Sequence, residues 1–254
     1  MRLQLIRHAT LVYEVEGNSC LVDPMLSPAE AWDPVSNSAN PRRNPMVELP
    51  IDSAELERLL GRLSAVFVTH THADHWDDPA KERLPEAMPL FCQPHDSESI
   101  RSDGFTEVSA VDGKLSWNGL AIARTGGQHG TGEVAARIGP VSGYVIRADG
   151  EPTLYIAGDT IWCPEVADAL REHQPEVVVV NAGAAQFLDS DPITMSDADV
   201  IETARAVPNA TIVAVHMETI NHCALTRAEL TAAMQAQGLA KRVWIPRDGD
   251  VREF

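Results

Sequence analysis

Apolar and polar positions alternate at the start of the chain. Leu3 to Arg7, Leu11 to Val15 and Ser19 to Val22 each read as a strand, with Gly17-Asn18 as a hairpin turn and Pro24 as a stop. Periodicity then disappears. From residue 24 to 52, Pro28, Pro34, Pro41, Pro45 and Pro50 recur among Asn and Ser, which predicts a long irregular loop; loops of this length in compact domains usually cover a site or move. Helical spacing returns at Asp52, which with Glu55 makes a capping pair, and Leu56, Leu59, Leu60 and Leu63 share one face of a helix expected to run through Leu63.

Ala65 to Thr69 is a short buried strand that leads into a histidine-rich segment. Residues 90–157 hold short strand candidates between Gly-rich turns. Leu154 to Ala157, Val177 to Val180 and, beyond its first residue, Thr211 to Val215 are apolar, as strands buried on both faces must be. Helices are expected after Pro164, from Ser196 to Val207 with Asp199 at the capping-box position, and after Thr226; Val243 to Ile245 reads as a final strand. Strands come first and then alternate with helices in both halves, with no break in composition. That pattern predicts an α/β chain forming one domain over residues 1–254, two sheets inside and helices outside.

Composition narrows the function. The formal net charge of −17 repels phosphates, so nucleic acid is not an expected partner. No apolar run approaches the roughly 20 residues of a membrane span, and the amino terminus has no apolar core of signal-peptide length. Cys20, Cys92, Cys163 and Cys223 form no Cys-x-x-Cys pair, so reduced thiols and a cytoplasmic location are expected.

The chemistry lies in Thr69-His70-Thr71-His72-Ala73-Asp74-His75. Three imidazoles and a carboxylate directly after a buried strand are a dense set of ligands for zinc or a similar ion. In a loop, alternate side chains can fan toward one point, whereas a helix would put His70 and His72 on different faces. The segment resembles the His-x-His-x-Asp-His signature of the metallo-β-lactamase-fold superfamily. Later elements follow in that family's order: His129 within Gly126-Gly127-Gln128-His129-Gly130, Asp159 within Ala157-Gly158-Asp159-Thr160, and His216 at the end of Val213-Ala214-Val215.

This resemblance implies an αββα four-layer sandwich, two mixed β-sheets flanked by helices, around two divalent cations. It puts His70, His72 and His129 on one ion and Asp74, His75 and His216 on the other, with Asp159 between them. Zinc is the first expectation, with manganese or iron as alternatives. Water held between two such ions ionises near neutral pH and serves as the nucleophile. Asp74 and Asp159 are therefore expected to be catalytic as well as ligating.

Arg7-His8-Ala9-Thr10 and Val22-Asp23-Pro24 resemble the Gly-His-Ser/Ala and Asp-Pro elements of one branch of the superfamily, with Arg7 where that branch usually has Gly. The branch includes ascorbate-6-phosphate lactonase and the phospholipase D that acts on N-acyl phosphatidylethanolamine. It implies a hydrolase of a phosphoester, lactone or other ester of a small molecule. Asp23 is a candidate acceptor fixing the tautomer of a ligand histidine, and His8 a candidate for lining the site.

Glu218, Asn221 and His222 form a polar cluster after His216, in which His222 is a candidate general acid. In the proline-rich loop, Arg42 and Arg43 are candidates for clamping an anionic substrate group, and Trp32 for an apolar cover. Two other classes compete with hydrolysis. Flavodiiron redox proteins share the fold but carry Glu where this chain has His72, together with a flavin domain for which there is no room. A metal-binding module without catalysis would not need so complete a ligand set.

Overall fold

The computed structural model describes residues 1–254. Its strands form two seven-stranded sheets. The first sheet contains β1 (Arg2–Arg7), β2 (Thr10–Val15), β3 (Asn18–Val22), β4 (Ala65–Val68), β5 (Leu90–Cys92) and β6 (Val108–Ala110), neighbours in chain order. The second contains β7 (Lys114–Trp117), β8 (Leu120–Thr125), β9 (Gly143–Arg147), β10 (Leu154–Ile156), β11 (Val177–Asn181), β12 (Thr211–Val215) and β13 (Val243–Trp244), again in chain order. The final strand, β14 (Val251–Glu253), returns to the first sheet beside β1. Each sheet opens antiparallel and continues parallel, so both are mixed.

The hairpin between β2 and β3 turns one residue earlier than the sequence suggests. Val15 pairs directly with Asn18, and the turn is Glu16-Gly17, both at positive φ (49° and 74°). That left-handed pair gives the strands the twist that a two-residue hairpin needs.

Seven helices cover the outer faces: α1 (Ser53–Leu60), α2 (Asp78–Arg83), α3 (Ser97–Ser102), α4 (Gly132–Ile138), α5 (Pro164–His173), α6 (Asp197–Ala206) and α7 (Arg227–Ala236). Asp52, Ser196 and Thr226 each complete a capping box at α1, α6 and α7. Helix α1 stops at Leu60, before the expected Leu63: past Gly61 the N–H groups of Arg62 and Leu63 bond to carbonyls three residues back, at Leu59 and Leu60, so the chain tightens out of the α-helical ladder. Leu63 still packs on the adjoining core from outside the helix.

Strand periodicity of two sorts the core into three layers. In β11, Val177 and Val179 face the other sheet while Val178 and Val180 face α5, α6 and α7. Strand β12 does the same with Val213 and Val215 against Ile212 and Ala214. In β4, Ala65 and Phe67 point between the sheets, and Val66 and Val68 point toward Leu56, Leu59 and Leu60 of α1. Both faces of these strands are buried, and their only polar residues, Asn181 and Thr211, stand at strand ends. Helix, sheet, sheet, helix is the four-layer order of the metallo-β-lactamase fold. No helix is long and apolar enough to cross a membrane.

Strands β1, β3 and β4 run in one direction in the first sheet, and β8, β10 and β12 do so in the second. Their carboxyl ends meet along one rim, where all the histidine and aspartate candidates lie.

The centre of the inter-sheet layer is Phe67, stacked on Phe91 at 4.9 Å between ring centroids and flanked by Tyr13 and Tyr144. Replacing Phe67 with Ala should cost about 3–5 kcal/mol in urea denaturation. Leu188→Ala, at a side chain 68% exposed, should stay within about 0.5 kcal/mol. Equal effects from the two would contradict this account of the core.

Candidate metal centre

Three strand ends turn sharply to bring their next residue into the rim. His8 follows β1, Asp23 follows β3 and His216 follows β12, with φ of 61°, 44° and 70°. Non-glycine residues held in this region cost of order 1–3 kcal/mol each, and the surrounding packing must impose them. The His216 N–H donates to the His8 carbonyl (2.9 Å) and the Asp23 N–H to that of Phe67 (2.9 Å), which locks these corners to each other and to β4. Two glycines permit the approach. A Cβ at Gly183 would lie 2.2 Å from the His216 carbonyl oxygen, and one at Gly158, whose φ is +71°, would lie 2.5 Å from that of Ser142.

His70, His72, Asp74, His75, His129, Asp159 and His216 converge on one small volume. Three sets of potential ligand atoms lie within 4.8 Å of one another: His70, His72 and His129; His8, Asp74, His75 and His216; and His70, His75 and Asp159. Asp159 sits between the first two. Its Oδ2 is 3.3 Å from His75 Nε2 and 3.6 Å from His129 Nε2, and its Oδ1 is 3.3 Å from His216 Nε2.

Each histidine is aimed by a bond to its outer nitrogen. His75 Nδ1 donates to Asp23 Oδ2 (2.8 Å), His129 Nδ1 to the Ile193 carbonyl (2.8 Å), and His72 Nε2 to the Ile138 carbonyl (3.2 Å). The Thr69 hydroxyl donates to Asp23 Oδ2 (2.7 Å) and accepts from His70 Nδ1 (3.1 Å). His216 Nδ1 faces Cys223 Sγ at 3.6 Å. The inner nitrogens face the shared volume, where His70 Nε2 and His72 Nδ1 meet at 2.9 Å. Those of His75 and His216 are buried with no hydrogen-bond partner at all. Buried ring nitrogens without a partner, beside carboxylates, are what a cation would satisfy, so the residues present fit a metal centre.

The electrostatics of the cation-free protein divide the histidines into two groups. Burial alone would lower His75, but Asp159, Asp74 and Asp23 outweigh it and raise it to about 10 in the cation-free protein. His216 moves up for the same reason, with Asp159 the main carboxylate. Burial pushes His8, whose ring lies tilted against that of His216 at 3.6 Å between centroids, down to about 3. His70 and His129 are also lowered, chiefly by burial.

Other candidates are placed differently from the sequence reading. His8 does not line the cleft: it is fully buried behind Asp74, donating Nε2 to Asp74 Oδ2 at 3.2 Å. Arg42 and Arg43 do not reach the cleft either. Arg42 bonds the Met46 carbonyl and Arg43 bonds the Glu30 carbonyl and pairs with Asp33, all within the loop itself, because those acceptors are nearer than the rim. Arg7, in the usual glycine's place, is wholly buried and donates to the carbonyls of Val47, Met25 and Ser27, tying the base of the long loop to β1.

Sequence reasoning missed Asn181, whose amide donates to Asp159 Oδ1 at 2.6 Å. It also missed the walls. A cavity of about 270 Å³ stands over the cluster, with Trp32, Val35, Ile138, Phe187 and Ile193 around it and His72, Asp74, His129, Asp159 and His222 on its polar side. No lysine or arginine lines it.

The β-lactamase superfamily domain pattern matches residues 19–217. The chain belongs to the β-lactamase superfamily, as a metal-dependent hydrolase of the metallo-β-lactamase fold. Among its relatives is the UPF0173 protein YddR of Bacillus subtilis (strain 168), 35% identical over the full length of both chains. An isothiocyanate hydrolase from Delia radicum gut bacteria is 42% identical with a TM-score of 0.94, over 100% of this chain and 99% of that one. A possible metal-dependent hydrolase from Veillonella parvula DSM 2008 is 36% identical with a TM-score of 0.95, over 99% and 98%.

Two measurements test this centre. Raised His75 and His216 stabilise the fold below pH 6.5 and lose that contribution as pH climbs toward 10. Lowered His8, His70 and His129 act in the opposite sense, since below pH 6.5 the unfolded chain takes up protons that the fold refuses. The melting temperature of metal-stripped protein should therefore peak near pH 6.5, and zinc should remove the alkaline decline. A flat profile from pH 6.5 to 10 would overturn the assignment of these shifts. Asp23→Asn should weaken metal binding about 10–100-fold, read by competition with a chelating dye; unchanged affinity would mean that Asp23 does not orient His75.

Proposed function

We propose that this protein hydrolyses a small, uncharged, largely apolar electrophile, and that an organic isothiocyanate is the substrate class. The observation that carries this reading is the cleft itself: apolar walls over a ligand cluster, with no cationic side chain among them. A phosphoester leaves anionic oxygens that arginine or lysine ordinarily helps to neutralise, and Arg42 and Arg43 are committed elsewhere. The likeness to an isothiocyanate hydrolase over the whole chain supports the same class.

Two divalent ions, zinc first and manganese or iron as alternatives, suit five imidazoles aimed inward with Asp74 and Asp159. His70, His72 and His129 would hold one, Asp74, His75 and His216 the other, with Asp159 between. When bound, such ions ionise a water near neutral pH and polarise an electrophile. The chain's own groups do the rest. Asn181 fixes the Asp159 carboxylate, Trp32, Val35 and Phe187 exclude bulk water around the organic group, and Asp23 and Thr69 hold the imidazoles in the required tautomer.

One water is consumed. Its oxygen bonds to the central carbon of N=C=S, both its protons end on nitrogen, the carbon–nitrogen bond breaks, and an amine and carbonyl sulfide leave. His222 lines the cleft with its Nδ1 unpartnered, and burial lowers its pKa to about 4. It is neutral at pH 7, able to accept a proton at one ring nitrogen while releasing one from the other. Four unpaired thiols fit work in the reducing cytoplasm.

The test combines metal analysis with turnover of alkyl and arylalkyl isothiocyanates, bis(p-nitrophenyl) phosphate and a simple lactone. Isothiocyanates should lead by at least about a hundredfold in kcat/KM, with amine and carbonyl sulfide released in equal amounts. Asp159→Ala should lose this activity together with bound metal, while Arg42→Ala and Arg43→Ala should leave KM within about twofold. A preference for the phosphodiester, or a large KM change at either arginine, would refute the neutral-substrate reading.

A further inference from the structure

Asn221 is 3% exposed and follows His216 by five residues on the loop that also carries His222. Its amide is fully used, and most of its partners lie on the long loop over the cleft. Oδ1 accepts from the Val35 N–H (2.9 Å) and Asn44 Nδ2 (2.7 Å). Nδ2 donates to the Val35 carbonyl (3.2 Å), the Ser38 hydroxyl (2.5 Å) and the Asn40 carbonyl (2.6 Å). The Asn221 backbone N–H donates to Asn44 Oδ1 (2.9 Å). Asn44, itself wholly buried, exchanges backbone bonds with Trp32 in both directions at 2.9 Å. Trp32 and Val35 are walls of the cleft.

We infer that Asn221 is a positioning residue that sets the width of the cleft mouth, and so the size of apolar group the site accepts, by clamping residues 35–44 to the loop that carries His216 and His222. The inference rests on the reading of that cleft as the substrate site. The physical argument is one of geometry. A proline-rich loop has no ladder of its own to hold it, so its position over the rim is fixed by bonds to something rigid. Asn is the side chain that can both accept and donate through one planar group. Val35 is gripped at its N–H and its carbonyl together, which fixes the orientation of its peptide as well as its distance. Asn221→Asp keeps the two acceptances but turns the donations to the Val35 and Asn40 carbonyls into contacts between a carboxylate and carbonyl oxygens.

The test reads the clamp independently of the substrate. Hydrogen exchange followed by mass spectrometry on zinc-loaded wild type, Asn221→Ala and Asn221→Asp should show peptides within residues 28–45 exchanging at least about tenfold faster in both variants. Peptides covering β4 and residues 69–76, and the metal content, should be unchanged. With a series of isothiocyanates of increasing bulk, KM should rise with little loss of kcat for small members, and discrimination between small and large members should shrink.

Unchanged exchange in residues 28–45 overturns the inference. So does a uniform rise across both sheets, since that marks a general structural role. Should Asn221→Ala fail to fold, Ser38→Ala combined with Asn44→Ala removes partners from the loop side, away from both sheets, and must show the same local rise. Local loosening in a protein whose wild type turns over no isothiocyanate would leave the clamp standing and remove only the substrate class.

Discussion

A neutral imidazole has one proton to place, and the nitrogen that keeps it is decided by what lies outside the site. In this protein Asp23, Thr69 and the carbonyls of Ile193 and Ile138 face the outer nitrogens of four histidines. The inner nitrogens point into the cluster as a result, each able to offer a lone pair to a cation once it carries no proton. Reverse any one of those bonds and an N–H would face Asp159 or a neighbouring imidazole, and the cluster would become a set of hydrogen-bonded side chains with no place for a cation. The strained corners bring His8, Asp23 and His216 to the rim, and the bare Cα positions of Gly158 and Gly183 let the chain pass close to Ser142 and His216.

How much of this could be read from the sequence depended on distance along the chain. The wholly apolar strands and the capping boxes were legible because their signals are local and repeat over several residues. Strands β5 and β6 are three residues long, too short to carry a period. Helix α4 has no buried residue, so no apolar face announces it. Strand β14 reads Val-Arg-Glu, with little to distinguish it from a loose terminus.

The same rule governs the site. His70 to His75 falls within six residues and is conspicuous. Asn181 looks like any residue ending a strand, and only the fold brings it to Asp159. Arg42 and Arg43 read as a charge pair, yet nothing in the sequence indicates that Asp33 and the loop's own carbonyls take up their donors. Arg7 shows the opposite: a charge at the end of an apolar strand whose three carbonyl acceptors lie 18 to 40 residues away along the chain.

The division of the ligand atoms between the sheets has a mechanical consequence. His8, Asp23 and the His70–His75 segment hang from the first sheet, while His129, Asp159 and His216 hang from the second, and every one of the three ligand sets draws on both. Apolar packing between sheets is non-directional and tolerates small sliding. Coordination bonds tolerate very little, being confined to within a few tenths of an ångström. A cation held by this set acts as a dowel through the two halves, fixing their mutual register at the one edge where the hydrophobic layer ends and cannot do so itself.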